Sequence, residues 1–139
     1  SNALKEKNKN IKIYLSDPKG SSLYSYIKTK EFKSEGNSIT EGIGSSRVTK
    51  NFEKALIDDA YSIDDTMALT VLFDLIEKEG LSLGTSSGIN VAGAIKLAQE
   101  LGPNKTIVTI LCDKSDRYQG KLFNKKFLIE KNLPYPRWL

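Results

Sequence analysis

The stretch LGTSSGINVAGAIKLA, residues 83–98, constrains the fold of this chain more than any other. A turn bearing Thr85, Ser86 and Ser87 between two glycines leads into a segment, residues 89–101, that is apolar nearly all round. A helix of that kind must be buried, and Gly102-Pro103 ends it. TIVTILC follows at residues 106–112, a β-branched run typical of a strand covered on both faces, as in parallel sheets. A buried helix between strand signals predicts α/β architecture with a mainly parallel sheet flanked by helices.

The remaining segments extend the alternation. Ile11, Ile13 and Leu15 alternate in IKIYLSD, a short strand that stops at Asp17-Pro18. SSLYSYIKT has a serine start signal and Leu23, Tyr24 and Ile27 at helical spacing. Residues 31–51 are rich in Gly, Ser and Thr and read as one long loop, a kind that is often functional. Ser62 and Asp65 resemble a capping box. They open a helix whose apolar face comprises Met67, Val71, Leu75, Ala68, Leu72 and Ile76, with Gly80 as its stop. LSLGTSS reads as a short strand and turn, and residues 119–131 as a last amphipathic helix before the tail LPYPRWL.

Composition excludes several chemistries. The 139 residues include no histidine, so a His-based triad or His general base cannot arise within the chain. With Cys112 as the single cysteine there is no internal disulfide and no zinc site of the usual kind, and a reducing cytoplasm is the expected compartment. The 21 basic and 17 acidic residues give a net charge of +4. The lysines are scattered among glutamates and asparagines without a reading helix, which predicts a solvated surface and no nucleic-acid partner. No apolar run approaches membrane-spanning length, and no membrane association is expected. Ser1-Asn2-Ala3 reads as a remnant of tag removal, leaving residues 4–139 as the folded part.

In an open α/β sheet, ligands lie beyond the carboxyl ends of the strands. TEGIGSSR, GTSSG and CDKSDRY should collect there. Backbone N–H groups and the helix dipole at GTSSG favour an electron-rich partner, and the hydroxyls add donors. The competing reading is that Ser86 or Ser87 merely caps the helix. The glycines of TEGIGSSR permit a tight approach to a ligand or simply form a surface loop. Asp113 is either a site residue or a turn starter, and Arg117-Tyr118 could equally anchor the last helix.

In order along the chain, DPKGSSLYSY, SITEGIGSSRVTKNFE, DDAYSIDD, LGTSSGINVAGAIKLA and TIVTILCDKSDRYQGKLFN resemble the C-terminal half of the cysteine synthase / cystathionine β-synthase family. These are pyridoxal-phosphate (PLP) enzymes of fold type II. The resemblance implies β-replacement, in which an activated serine loses its β-leaving group and sulfide or another thiol takes its place. It implies that Ser86 hydrogen-bonds the pyridine nitrogen of PLP, with Thr85 and Ser87 as structural caps. It places Asp113 and Ser115 in the loop approaching that nitrogen, and Gly42-Ile43-Gly44 in a loop that closes near the amino-acid substrate. It also implies a homo-oligomer.

The family's Schiff-base lysine, its substrate-carboxylate loop and its glycine-threonine phosphate cradle belong to sequence that would precede this chain. No catalytic residue is therefore transferred to it. The chain also departs from the family pattern: Ser46 and Ser115 stand where glycine is usual, and Lys114 where serine is usual. The expectation is the C-terminal part of a β-replacement enzyme, inactive alone. A non-catalytic relative serving as an interaction module is one alternative, and the coding sequence upstream of Leu4 would discriminate the two. The other is a generic phosphate-binding α/β domain, which ranks last because GxGxxG and the P-loop pattern are both missing.

Overall fold

The computed structural model describes residues 1–139. Its elements are α1 (Asn2–Lys7), β1 (Tyr14–Pro18), α2 (Leu23–Thr29), α3 (Lys50–Glu53), β2 (Asp59–Ile63), α4 (Asp65–Glu79), α5 (Thr85–Leu101), a 3-10 turn (Ser115–Tyr118), α6 (Gln119–Leu122) and α7 (Lys125–Glu130). β1 and β2 form a parallel pair in which Tyr14 faces Asp59 and Pro18 faces Ile63. The architecture is thus α/β with a small parallel sheet flanked by helices.

The β1 ladder begins at Tyr14 rather than Ile11, because an aspartate takes over the pairing at that end. The Ile13 N–H donates to Asp58 Oδ2 at 2.7 Å, and the Asp58 N–H donates to the Ile13 carbonyl at 2.8 Å. β2 has no clear sequence signal, since it opens on Asp59 and three further aspartates, Asp58, Asp64 and Asp65, flank its five residues. Burial identifies it nonetheless, as Ala60 and Ile63 are fully enclosed. Asn2 and Ala3 lie in α1, and Ser1 Oγ accepts from the Leu56 N–H at 2.9 Å.

α4 starts two positions later than the capping box implied. Asp64 is the N-cap, its carboxylate accepting from the Met67 N–H at 2.8 Å, while Ser62 belongs to β2. This corrects the Ser62–Asp65 reading. Asp65 is released for another task, described below. Gly80 closes the helix with a left-handed φ of 67°.

α5 begins at Thr85, so the three hydroxyls lie inside its first turn and Gly84 is the N-cap. None of them caps the helix. The buried side of α5 carries Ile89, Ala92, Gly93 and Leu97, while Ile95 and Leu101 are exposed. Two glycines set how near it lies to its neighbours. A Cβ on Gly88 would stand 2.8 Å from the Ala68 carbonyl oxygen of α4, and one on Gly93 would stand 1.8 Å from Ser16 Oγ of β1. Ile63, Ala68, Ile89 and Ala92 form one core between β2, α4 and α5. A second core joins Leu69, Leu72 and Phe73 of α4 to Tyr118, Leu122 and Leu128 of the C-terminal elements. Trp138 of the tail packs edge-on against Phe73 at 6.1 Å.

TIVTILC departs most from expectation. Residues 106–112 pair with no strand, and Val108 and Ile110 are 87% and 69% exposed. A β-branched run is stable as a strand only where a ladder partner and two covering faces exist. Here a cleft of about 450 Å³ separates residues 105–109 from Tyr14 and Ser16 of β1, with Gly93, Ala94 and Leu97 of α5 as its floor. LSLGTSS likewise makes only an isolated antiparallel bridge, Leu83 with Lys114. The expected last helix is divided into α6 and α7 because Asn124 caps a new start, accepting from the Phe127 N–H at 3.1 Å.

Candidate active site

The three segments expected beyond the strand ends do meet, at the N-terminal end of α5. Each of its first-turn hydroxyls has a different situation. Thr85 Oγ1 accepts from the Glu41 N–H at 3.2 Å, which ties the TEGIGSSR loop to the helix. Ser87 Oγ accepts from the Cys112 N–H at 2.9 Å, which ties the CDKSDRY segment to it. Ser86, 6% exposed, makes no side-chain hydrogen bond within the chain. It stands at the positive end of a 17-residue helix with its donor uncommitted.

Asp113 and Ser115 frame the turn that precedes Ser86. The Gly84 N–H donates to the Asp113 carbonyl at 2.9 Å, and the Ser82 and Ser115 hydroxyls lie 2.6 Å apart. Tyr118 donates its hydroxyl to Asp113 Oδ2 at 2.8 Å. That bond, together with burial, pushes the Tyr118 phenol above its ordinary pKa. Asp113 Oδ1 is buried without a partner. It occupies the space over Gly84, where a Cβ would come within 2.1 Å of it. Glycine at 84 is therefore a requirement of this carboxylate as much as of the turn.

Gly42, Ile43 and Gly44 span a loop pinned at both ends. On the far side, Ser45 N–H donates to Ser21 Oγ at 2.9 Å, and Ser21 Oγ and Ser22 N–H both donate to the Ser45 carbonyl. On the near side, Asp65 accepts from Ser38 Oγ and, at 2.8 Å, from the Ile39 N–H. Lys121 Nζ donates to the Ile39 carbonyl at 3.1 Å and pairs with Glu41, whose carboxyl it holds below the usual range. The Ile43 side chain packs against the core of Ile63, Ala68, Ile89 and Ala92.

Asp65, Lys121 and Asp17 escaped sequence reasoning. Asp65 was absorbed into a cap, and nothing in the sequence signals that Lys121 reaches back across 80 positions to Glu41. Asp17 was read only as a breaker, yet it is 1% exposed at the carboxyl end of β1. Its Oδ2 accepts from the Tyr24 N–H at 2.8 Å, Oδ1 has no partner, and burial pushes the carboxyl above its ordinary pKa.

The residues present fit the ring-nitrogen end of PLP on one observation in particular. An uncommitted neutral hydroxyl, barely exposed and flanked by two engaged ones, can donate to an unprotonated ring nitrogen. No cluster of three or more His, Cys, Asp or Glu residues suited to a metal exists. No helix is long and apolar enough to cross a membrane.

Comparison with known proteins places the chain in a family. The family model described as pyridoxal-phosphate dependent enzyme matches residues 1–113. Cysteine synthase 1 of Neurospora crassa is 42% identical over 127 residues, covering 88% of this chain and 34% of the relative. Cysteine synthase of Dictyostelium discoideum is 40% identical over 142 residues, covering 95% and 38%. Among solved structures, the O-acetylserine dependent cystathionine β-synthase of Helicobacter pylori superposes with a TM-score of 0.76 at 32% identity, covering 86% of this chain and 37% of that one. The chain thus spans little more than a third of the length of the relatives it matches. It belongs to the pyridoxal-phosphate-dependent enzyme family.

Proposed function

We propose that this chain supplies the ring-nitrogen side of the PLP site in a cysteine synthase-like enzyme, one that replaces the β-substituent of an activated serine with sulfide or another thiol. The observation that carries the reading is the Ser86 hydroxyl, buried and uncommitted at the start of α5 while Thr85 and Ser87 are both engaged. The relatives named cysteine synthase and O-acetylserine dependent cystathionine β-synthase support the substrate class.

Bound PLP supplies the electron sink that makes loss of a β-leaving group feasible. Ser86 would hold the ring nitrogen by donating its Oγ–H, and a neutral donor there would leave that nitrogen unprotonated and so moderate the sink. Asp113 and Ser115 border this end and hold the 82–84 turn in place. The Gly42-Ile43-Gly44 loop borders the amino-acid substrate through its backbone, with the Ile43 side chain turned to the core. No lysine of this chain stands in the family's lysine motif, so the covalent and phosphate-binding parts come from elsewhere and the chain alone performs no turnover. The working enzyme is a cytoplasmic homo-oligomer.

The test is carried out in the protein of the relatives' full length. Ser86→Ala should alter the cofactor's absorbance and lower turnover roughly tenfold, the equivalent of one hydrogen bond worth about 1.4 kcal/mol. Ser87→Ala should leave the absorbance unchanged. Identical spectra and equal turnover losses in the two variants would contradict the reading.

A further inference from the structure

The bond from the Glu41 N–H to Thr85 Oγ1 joins two parts of the site that the sequence keeps 44 positions apart. Thr85 is 0% exposed and, although it opens α5, it does not cap it. A threonine hydroxyl in the first turn of a helix ordinarily serves the helix itself. This one instead serves the loop. One turn further along the same face, Ile89 contributes to the core against which Ile43 packs. The loop is therefore laid along α5 at two points, a hydrogen bond at Glu41 and an apolar contact at Ile43. Gly42 lies between them with a left-handed φ of 73° and no atom near its Cβ position.

The outer contacts are weaker in kind. Lys121 reaches the Glu41 carboxylate and the Ile39 carbonyl from a partly exposed position, where an ion pair is screened. Thr85, itself fully buried, makes the hydrogen bond that ties this loop to the helix at the residue next to Ser86.

We propose that Thr85 is a positioning residue. It fixes residues 41–44 against the start of α5, so that the glycine loop and the Ser86 hydroxyl keep one spacing. That this spacing serves an amino-acid substrate rests on the function proposed above. The tie itself does not, and its test requires neither cofactor nor turnover.

Amide hydrogen exchange on this chain reads the tie directly. In the unsubstituted chain the Glu41 amide should be protected, while the Gly42 amide, which donates to no protein atom, exchanges fast. Thr85→Val keeps the shape and removes the acceptor. It should speed Glu41 exchange at least tenfold and leave the amides of the second half of α5 unchanged, and Thr85→Ser should restore protection. Lys121→Met should have a smaller effect, confined to residues 39–41. Three results would overturn the proposal: an unprotected Glu41 amide in the unsubstituted chain, exchange after Thr85→Val that rises equally along all of α5, or no rescue by serine. The first needs no variant to fold. In the full-length enzyme, Thr85→Val should raise KM for the amino acid at least fivefold with the cofactor absorbance unchanged. The opposite pattern, an altered absorbance with KM unchanged, would assign Thr85 to the cofactor instead.

Discussion

Ser86 and Ser87 are chemically identical neighbours, yet the fold gives them opposite duties. Ser87→Ala leaves the Cys112 N–H without its acceptor and should cost about 1 kcal/mol of stability. Ser86→Ala removes no hydrogen bond within the chain and should change stability by less than about 0.5 kcal/mol. Urea titrations of the two variants check this, and a larger loss at Ser86 would mean that its hydroxyl is structural. Gly84→Ala should be far more severe, about 3 kcal/mol or more, because the added carbon meets Asp113 Oδ1 at 2.1 Å.

Asp17 gives a pH dependence whose sign is unusual for a carboxylate. Burial raises its folded pKa above the ordinary 3.8, so the folded state holds the proton more tightly than the unfolded one. Ionisation of Asp17 therefore costs stability, which falls as pH rises from about 3.8 through the folded value. Asp17→Asn should remove this component while its amide oxygen still accepts from Tyr24 N–H. Stability of the variant relative to the parent should rise as pH increases from about 3.8 through the folded value. A difference that stays constant across this range would contradict it.

At the scale of elements, legibility in the sequence followed how local each cause was. The apolar face of α4 and its Gly80 stop lie within a few residues of one another, and both appear in the structure. The cap did not follow the same logic, because Asp64 and Asp65 are adjacent and either could fill the role. Asp64→Ala should cost about 1 kcal/mol as a lost cap. Asp65→Ala should instead release residues 38–39, seen as local exchange and not as fraying of α4. The convergence of GTSSG and CDKSDRY was readable because one opens a helix and the other ends a β-branched run, whereas TEGIGSSR was read only as a glycine-bearing loop. The partner of each hydroxyl was not, since Glu41 and Cys112 are 44 and 25 positions from the residues they bond. β2 was hidden by its aspartates, two of which pair with Lys5 and Lys28.

For the whole molecule, the segment 106–112 is where sequence and structure diverge for a reason larger than any element. Its β-branched residues carry the signature of a central strand, but within this chain Val108 and Ile110 lie exposed. Exposed apolar edges of that kind drive association. Light scattering across a concentration series should show growth in apparent mass, which Ile110→Lys with Val108→Lys suppresses. A chain that stays monomeric throughout would contradict this.

The same division bears on the cofactor, because on the proposed function this chain offers Ser86 and its framing residues but not the Schiff-base lysine. Lysines whose partners are visible, such as Lys5, Lys28 and Lys121, are committed to carboxylates. A single hydroxyl offers about 0.5–1.5 kcal/mol, far below the roughly 8 kcal/mol of a micromolar site. The most direct measurement is to mix the chain with PLP, reduce with borohydride, and map the labelled peptides by mass. The expected result is sparse label, well below one per chain, spread over several surface lysines. One lysine labelled stoichiometrically, accompanied by turnover of an activated serine, would show that the chain holds a complete site.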